Sequence, residues 1–146
     1  MKTRIEKSQR SAPKDGRLST GTIRTFLAEE SPLLMASLAR IVSKNERIFI
    51  VGAVGDGRKA LTFASSLQPA LVITDLHIPG LDGAETTRLL KQRPNPPIIF
   101  VVTSDDRPEA RSRSLAVGAD AFLVKSDKFV SRILATIQDF FPADLE

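Results

Sequence analysis

Short apolar runs alternate with amphipathic stretches along this chain, with a turn former at nearly every junction. Residues 22–28 (TIRTFLA) alternate branched or aromatic residues with others and stop at Glu29-Glu30. Ser31-Pro32 reads as a helix start, with Ser31 as cap and Pro32 in the first helical position. Leu34, Leu38, Ile41 and Val42 then fall at i, i+4, i+7 and i+8, a single helical stripe. Ile48–Val54 (IFIVGAV) has no polar residue, the pattern of a strand buried on both faces. After the turn Gly55-Asp56-Gly57, the residues Ala60, Leu61, Ala64 and Leu67 mark a second helix, ended by Pro69. Residues 70–74 (ALVIT) form a third strand that stops at Asp75, and residues 76–83 (LHIPGLDG) form a loop.

The alternation continues to the end of the chain. A helix carrying Leu89 and Leu90 spans about residues 84–93, and Pro94, Pro96 and Pro97 end it. Residues 98–102 make a buried strand that stops at Thr103. Pro108 opens a helix through Val117, closed by Gly118. Ala121–Val124 is a short fifth strand that stops at Lys125. A last helix covers about residues 128–141, with Ile133, Leu134, Ile137 and Phe141 on one side, and Pro142 stops it. Buried strands alternating with amphipathic helices need crossover connections. The pattern therefore predicts an α/β fold, a (βα)5 doubly wound, parallel five-stranded sheet with helices on both faces.

Charge adds a boundary. The net charge of +4 resides wholly in residues 1–21, where Lys2, Arg4, Lys7, Arg10, Lys14 and Arg17 face only Glu6 and Asp15. The remaining residues are neutral overall. We therefore expect a basic, solvated and disordered extension over 1–21, a globular body over 22–141, and a short tail over 142–146. The absence of Cys excludes disulfides and thiolate chemistry. One histidine, His77, leaves little material for a Ser-His-Asp triad or a His-rich zinc site. No apolar run approaches a membrane span, and the N-terminus lacks a signal-peptide core. A cytoplasmic protein with no membrane insertion is the expectation.

In an open parallel sheet, ligands bind beyond the carboxyl ends of the strands. Glu29 and Glu30 follow the first strand, Asp75 the third, Thr103 the fourth and Lys125 the fifth. Three carboxylates, a hydroxyl and an ammonium thus collect at one rim. Crowded carboxylates need a cation, and with oxygen donors alone a hard ion such as Mg2+ suits them. A carboxylate beside Mg2+ and a lysine can serve as nucleophile toward a phosphoryl group, with Lys125 and Thr103 stabilising the transferring oxygens. Taken singly, each residue has an ordinary structural role; their recurrence at matching strand ends is what points to chemistry. Gly52, Gly55 and Gly57 do not have the spacing of a phosphate-binding glycine loop and read as turn residues.

The set Glu29-Glu30, TDLHIPGLDG with Asp75, VVTS with Thr103, and AFLVKS with Lys125 resembles the receiver domain of two-component response regulators. The segments SPLLMASLARIV, VGAVGDGRKAL and GADAFLVKS are similar to receivers usually joined to helix-turn-helix output domains. The resemblance spans residues 22–141. It implies a flavodoxin-like strand order 2-1-3-4-5 and a phosphoryl group accepted on Asp75 from a histidine kinase or phosphotransfer protein. It further implies Mg2+ held by Glu29, Glu30, Asp75 and the backbone carbonyl of His77. Thr103 and Phe122 take the switch positions. The signalling face, formed by the last two helices and the last strand, is also where a homodimer would form. DNA contact would come only through an output domain absent from this chain. No metabolic enzyme activity is expected beyond self-catalysed phosphoryl transfer and hydrolysis.

Two features depart from that pattern. The family's acidic pair is usually Asp-Asp or Glu-Asp, and the extra methylene of Glu30 moves its carboxylate by roughly 1.5 Å where Mg2+ holds oxygen at about 2.0–2.1 Å. Weakened Mg2+ binding is therefore expected, and a pseudo-receiver that binds partners without phosphorylation is the alternative. Ser126 follows Lys125 where many receivers have a cis proline, so that feature is not carried over. His77 and Asp105 flank the site and are expected to tune the lifetime of the phosphoryl group. A haloacid-dehalogenase-like phosphohydrolase uses similar groups, but it wants an acid where His77 stands and places its acidic pair late in the chain.

Overall fold

A computed structural model of the chain describes residues 21–143. The expected extension up to residue 20 and the final three residues of the expected tail lie outside the described residues. Strands and helices alternate as β1 (Ile23–Ala28), α1 (Pro32–Val42), β2 (Ile48–Val54), α2 (Gly57–Leu67), β3 (Leu71–Asp75), α3 (Gly83–Lys91), β4 (Ile98–Thr103), α4 (Pro108–Ala116), β5 (Ala121–Val124) and α5 (Phe129–Phe140). All strand pairs are parallel, in the order β2-β1-β3-β4-β5. The five alternating units and the predicted strand order are both present.

Strand alternation sorts the core into two layers. Phe26, Ala28, Val72, Ile99 and Val101 face Ala60, Ala64, Ala84, Leu90 and Ala110 of α2, α3 and α4. Leu27, Leu71, Ile73, Phe100, Val102 and Leu123 face Leu38 and Val42 of α1 and Ile133 and Ile137 of α5. The middle strands have apolar residues on both faces because helices cover both faces.

One sequence expectation is corrected. β2 is not buried on both faces: Phe49 is 60% exposed and Ala53 is exposed as well. β2 is an outer strand with only β1 beside it, and the register shifts between Thr25 and Phe26 against it. An apolar run alone cannot distinguish an edge strand from a central one. Helix ends also shift slightly. α2 stops at Leu67 because Gln68 adopts the left-handed conformation (φ 51°) ahead of Pro69, whose ring disfavours a helical predecessor. α3 begins at Gly83 because the Asp82 carboxylate accepts the Glu85 N–H at 2.9 Å.

The loop leading away from Asp75 is wedged in place by two glycines. A Cβ on Gly57 would sit 1.7 Å from the Leu81 carbonyl oxygen, and one on Gly83 2.4 Å from that of Asp75. The Gly57 N–H donates to the Pro79 carbonyl at 2.8 Å, so the N-terminus of α2 props the loop. At the opposite end of the sheet, the Arg47 guanidinium donates to the carbonyl of Gly21 at 3.0 Å and to that of Phe141. The Gly57→Ala variant should lose about 2–3 kcal/mol of stability through backbone overlap, read as a lower urea midpoint with an unchanged slope.

Candidate functional site

Register aligns the rim. Ala28 pairs with Thr74, Asp75 with Val102, and Thr103 with Val124. Glu29, Asp75, Thr103 and Lys125 therefore emerge side by side where the parallel strands end. Backbone bonds fix this edge: the Glu29 N–H donates to the Val54 carbonyl at 3.0 Å, and the Lys125 N–H to the Thr103 carbonyl at 2.8 Å.

The Lys125 ammonium bridges the acids. It lies 2.8 Å from Asp75 Oδ2 and 2.9 Å from Glu29 Oε1. The Lys125, Glu29 and Asp75 side chains are only 16%, 4% and 13% exposed, so this pairing is shielded from water. Burial alone would lower the lysine's pKa, but its hydrogen bonds to Asp75 and Glu29 outweigh that and hold it above the ordinary value. The remaining oxygens are occupied as well. Glu29 Oε2 accepts the Ser31 N–H at 3.1 Å, and Asp75 Oδ1 accepts the His77 N–H at 3.0 Å.

Thr103 is 1% exposed, and its hydroxyl oxygen accepts the Asp105 N–H at 3.1 Å. The hydroxyl proton remains available for donation. Phe122 is partly buried against the layer that holds Ile99, Val101, Ala110 and Ala119. His77 Nε2 and Asp105 Oδ2 are 2.8 Å apart, joining the loop after β3 to the loop after β4. Arg107 grips Asp105 with two bonds, Nε to Oδ1 at 2.8 Å and Nη2 to Oδ2 at 2.7 Å. Arg107 and then His77 hold the Asp105 carboxyl well below the usual carboxylate range.

The sequence reading of the rim needs one qualification in space. Glu29, not Glu30, meets Lys125, while Glu30 is exposed and has no partner among the described residues. Among the described residues, no three His, Cys, Asp or Glu side chains gather as a ready metal cage. The lysine already engages two of the acids and offsets one of their two negative charges. Arg107 was not singled out from sequence. Its only signal is an arginine two residues after Asp105, directly ahead of the Pro108 helix start. Among the described residues, no helix is long and apolar enough to cross a membrane.

Comparison with known proteins points to one family and one fold. Residues 25–137 match the response regulator receiver domain family. The chain is 36% identical over 102 residues to protein-glutamate methylesterase/protein-glutamine glutaminase 2 of Methanospirillum hungatei, covering 70% of this chain and 29% of that protein. It is 30% identical over 100 residues to the nitrate/nitrite response regulator protein NarL of Escherichia coli, covering 68% of this chain and 46% of that protein. The chain thus spans less than half the length of these two curated relatives. Among solved structures, the signal receiver domain of NarL from Mycobacterium tuberculosis superposes with a TM-score of 0.76 at 25% identity, over 81% of this chain and 94% of that one. The response regulator domain of Thermotoga maritima CheB shares the fold, with a TM-score of 0.75 at 23% identity over 84% and 98% of the two chains.

Replacing Lys125 with Met should destabilise the protein at neutral pH by about 3–5 kcal/mol, because it leaves two shielded carboxylates without a cation. The contribution of the raised lysine is complete below its unfolded value of 10.5 and is lost as pH rises through the higher folded value. Urea midpoints of wild type and Lys125→Met should therefore converge as pH climbs past that range.

Proposed function

The chain belongs to the response regulator receiver domain family, and from that premise we propose that it accepts a phosphoryl group on Asp75 from a histidine kinase or histidine phosphotransfer protein. The change would then be passed on through the face made by α4, β5 and α5. The observation that carries this reading is the Lys125 ammonium, 2.8 Å from Asp75 Oδ2 and 2.9 Å from Glu29 Oε1. An ammonium so placed meets the charge on a transferring phosphoryl group without reorganisation.

The Asp75 carboxylate forms a bond to phosphorus as the phosphorus–nitrogen bond of the donor imidazole breaks. The imidazole keeps the electron pair and takes up a proton. Lys125 stabilises the phosphoryl oxygens, and the Thr103 hydroxyl donates its free proton to one of them. Thr103 and Phe122 form the switch, while His77 and Asp105 set how water reaches the acyl phosphate and so how long it lasts. The output lies with a partner or with a further domain, and a homodimer through the same face is part of this reading. The chain is a signalling module and turns over no other substrate.

Glu29, Glu30, Asp75 and the His77 carbonyl offer only hard oxygen donors, a set that suits Mg2+ in type. These oxygens would hold the ion, and its positive charge would then add to that of Lys125 beside the phosphoryl oxygens. Because Lys125 already engages Glu29 and Glu30 is exposed, we expect the affinity to be low. The same observation favours a second reading, a pseudo-receiver that binds its partner without phosphorylation.

Treatment with acetyl phosphate and Mg2+ should add the mass of one phosphoryl group to wild type and none to Asp75→Ala. An unlabelled wild type would leave the pseudo-receiver reading. Calorimetry should register weak Mg2+ binding at millimolar concentration, strengthened in Glu30→Asp; no heat in either protein would rule out the metal site.

A further inference from the structure

Helix α4 is held differently from the other four helices. Its nine residues (PEARSRSLA) bury only Ala110 and Ser114, both small. Leu115, its one large apolar residue, is exposed. By contrast α1 buries Leu38 and Val42, α3 buries Leu90, α5 buries Ile133 and Ile137, and α2 adds Leu61 and Leu67 to its buried alanines. The Ser114 hydroxyl turns back onto the Ala110 carbonyl at 2.8 Å and reaches no other element. Arg107, at the N-cap of α4, provides no side-chain cap. Burying an alanine methyl removes far less apolar area from water than burying leucine or isoleucine, so the hydrophobic hold on α4 is slight.

Charge supplies what apolar packing does not. Arg113, in the last turn of α4, donates to Asp82 Oδ2 at 2.5 Å. Asp82 is itself pinned, because its Oδ1 caps α3 at the Glu85 N–H. Burial alone would raise the Asp82 pKa, but the Glu85 N–H and Arg113 outweigh it and hold the carboxyl below its ordinary value. Ahead of α4, Asp105 is gripped by Arg107 and meets His77. Both attachments, His77 and Asp82, belong to the loop between β3 and α3, the segment that begins at Asp75.

We propose that the Arg113–Asp82 ion pair and the Asp105–His77 hydrogen bond form a two-point polar strap that docks α4 onto the β3–α3 loop, so that the seating of α4 follows that loop more than the core. The strap stands on these two contacts alone; its role as a route from Asp75 to α4 rests on the phosphoacceptor reading. Under that reading, added charge on Asp75 disturbs the loop, and α4, weakly held elsewhere, is the element that moves.

Hydrogen exchange on the full chain tests the strap. Exposed ion pairs contribute up to about 1 kcal/mol, so Arg113→Ala should speed exchange of the amides at the C-terminal end of α4 about three- to fivefold. Amides of β3 and β4 should keep wild-type rates, and Arg113→Lys should retain most of the protection. About 1 M salt should speed α4 exchange in wild type and change Arg113→Ala little. Asp82→Asn, which keeps an acceptor for the α3 cap, should reproduce Arg113→Ala. Unchanged α4 protection in Arg113→Ala, or acceleration spread evenly over β3 and β4, would overturn the strap. Beryllofluoride with Mg2+ supplies the second arm. Wild type should shift amide resonances at Asp75, Thr103 and α4, whereas Arg113→Ala should shift the first two fully and α4 by less than half. Equal α4 shifts in both proteins overturn the strap as a route. No shift at Asp75 in either overturns the phosphoacceptor reading and leaves the strap to be decided by exchange.

Discussion

One ammonium between two shielded carboxylates sets the terms for the rest of the molecule. Removing three charged groups from water costs several kcal/mol per ion unless geometry returns it. Here the return comes from short contacts at both lysine bonds and from backbone N–H groups on the other two carboxylate oxygens. Those backbone donors belong to Ser31 and His77, which open the segments after β1 and β3. The charge arrangement therefore orders the chain on either side of it, and both loops leave the sheet in a fixed direction.

The two layers beneath divide the work unequally. Strands β3 and β4 are buried on both faces and give the rim a rigid floor. The loop above Asp75 has little apolar anchorage of its own between Ile78 and Ala84 and depends on close backbone contact, with α2 at Gly57 and with the end of β3 at Gly83, where neither glycine leaves room for a side chain. Polar links then run outward from that loop to α4. Burial of large side chains thus falls from the central strands to the fourth helix, whose links to the rest are largely polar.

Much of this was legible in the sequence because it follows from periodicity. Runs such as IIFVV, apolar without a break, belong where helices cover both sheet faces, and the ten elements follow from them. The exposure of β2 was not legible: IFIVGAV is as apolar as a central strand, and only the sheet order reveals the uncovered edge. That Asp75, Thr103 and Lys125 share one rim was readable because the first two end their strands and Lys125 directly follows β5. The difference between Glu29 and Glu30 was not, since it depends on which of two neighbours stands level with Asp75, a matter of register between β1 and β3. The partnership of Asp82 with Arg113 joins residues 31 positions apart and no local pattern marks it, whereas His77 and Asp105, 28 apart, could be set on either side of the site because each lies two residues past a strand-ending residue.

Arg47 has a consequence of a different kind. A single guanidinium gathers the carbonyl that precedes β1 and the one that follows α5, so the start of β1 and the end of α5 sit at the same corner, at the far end of the sheet from Lys125. A short peptide joining residues 141 and 21 would therefore span little distance. A circularly permuted chain, reopened at an exposed turn such as the one around Asn95, would keep every strand neighbour, the rim around Lys125 untouched by the new connectivity.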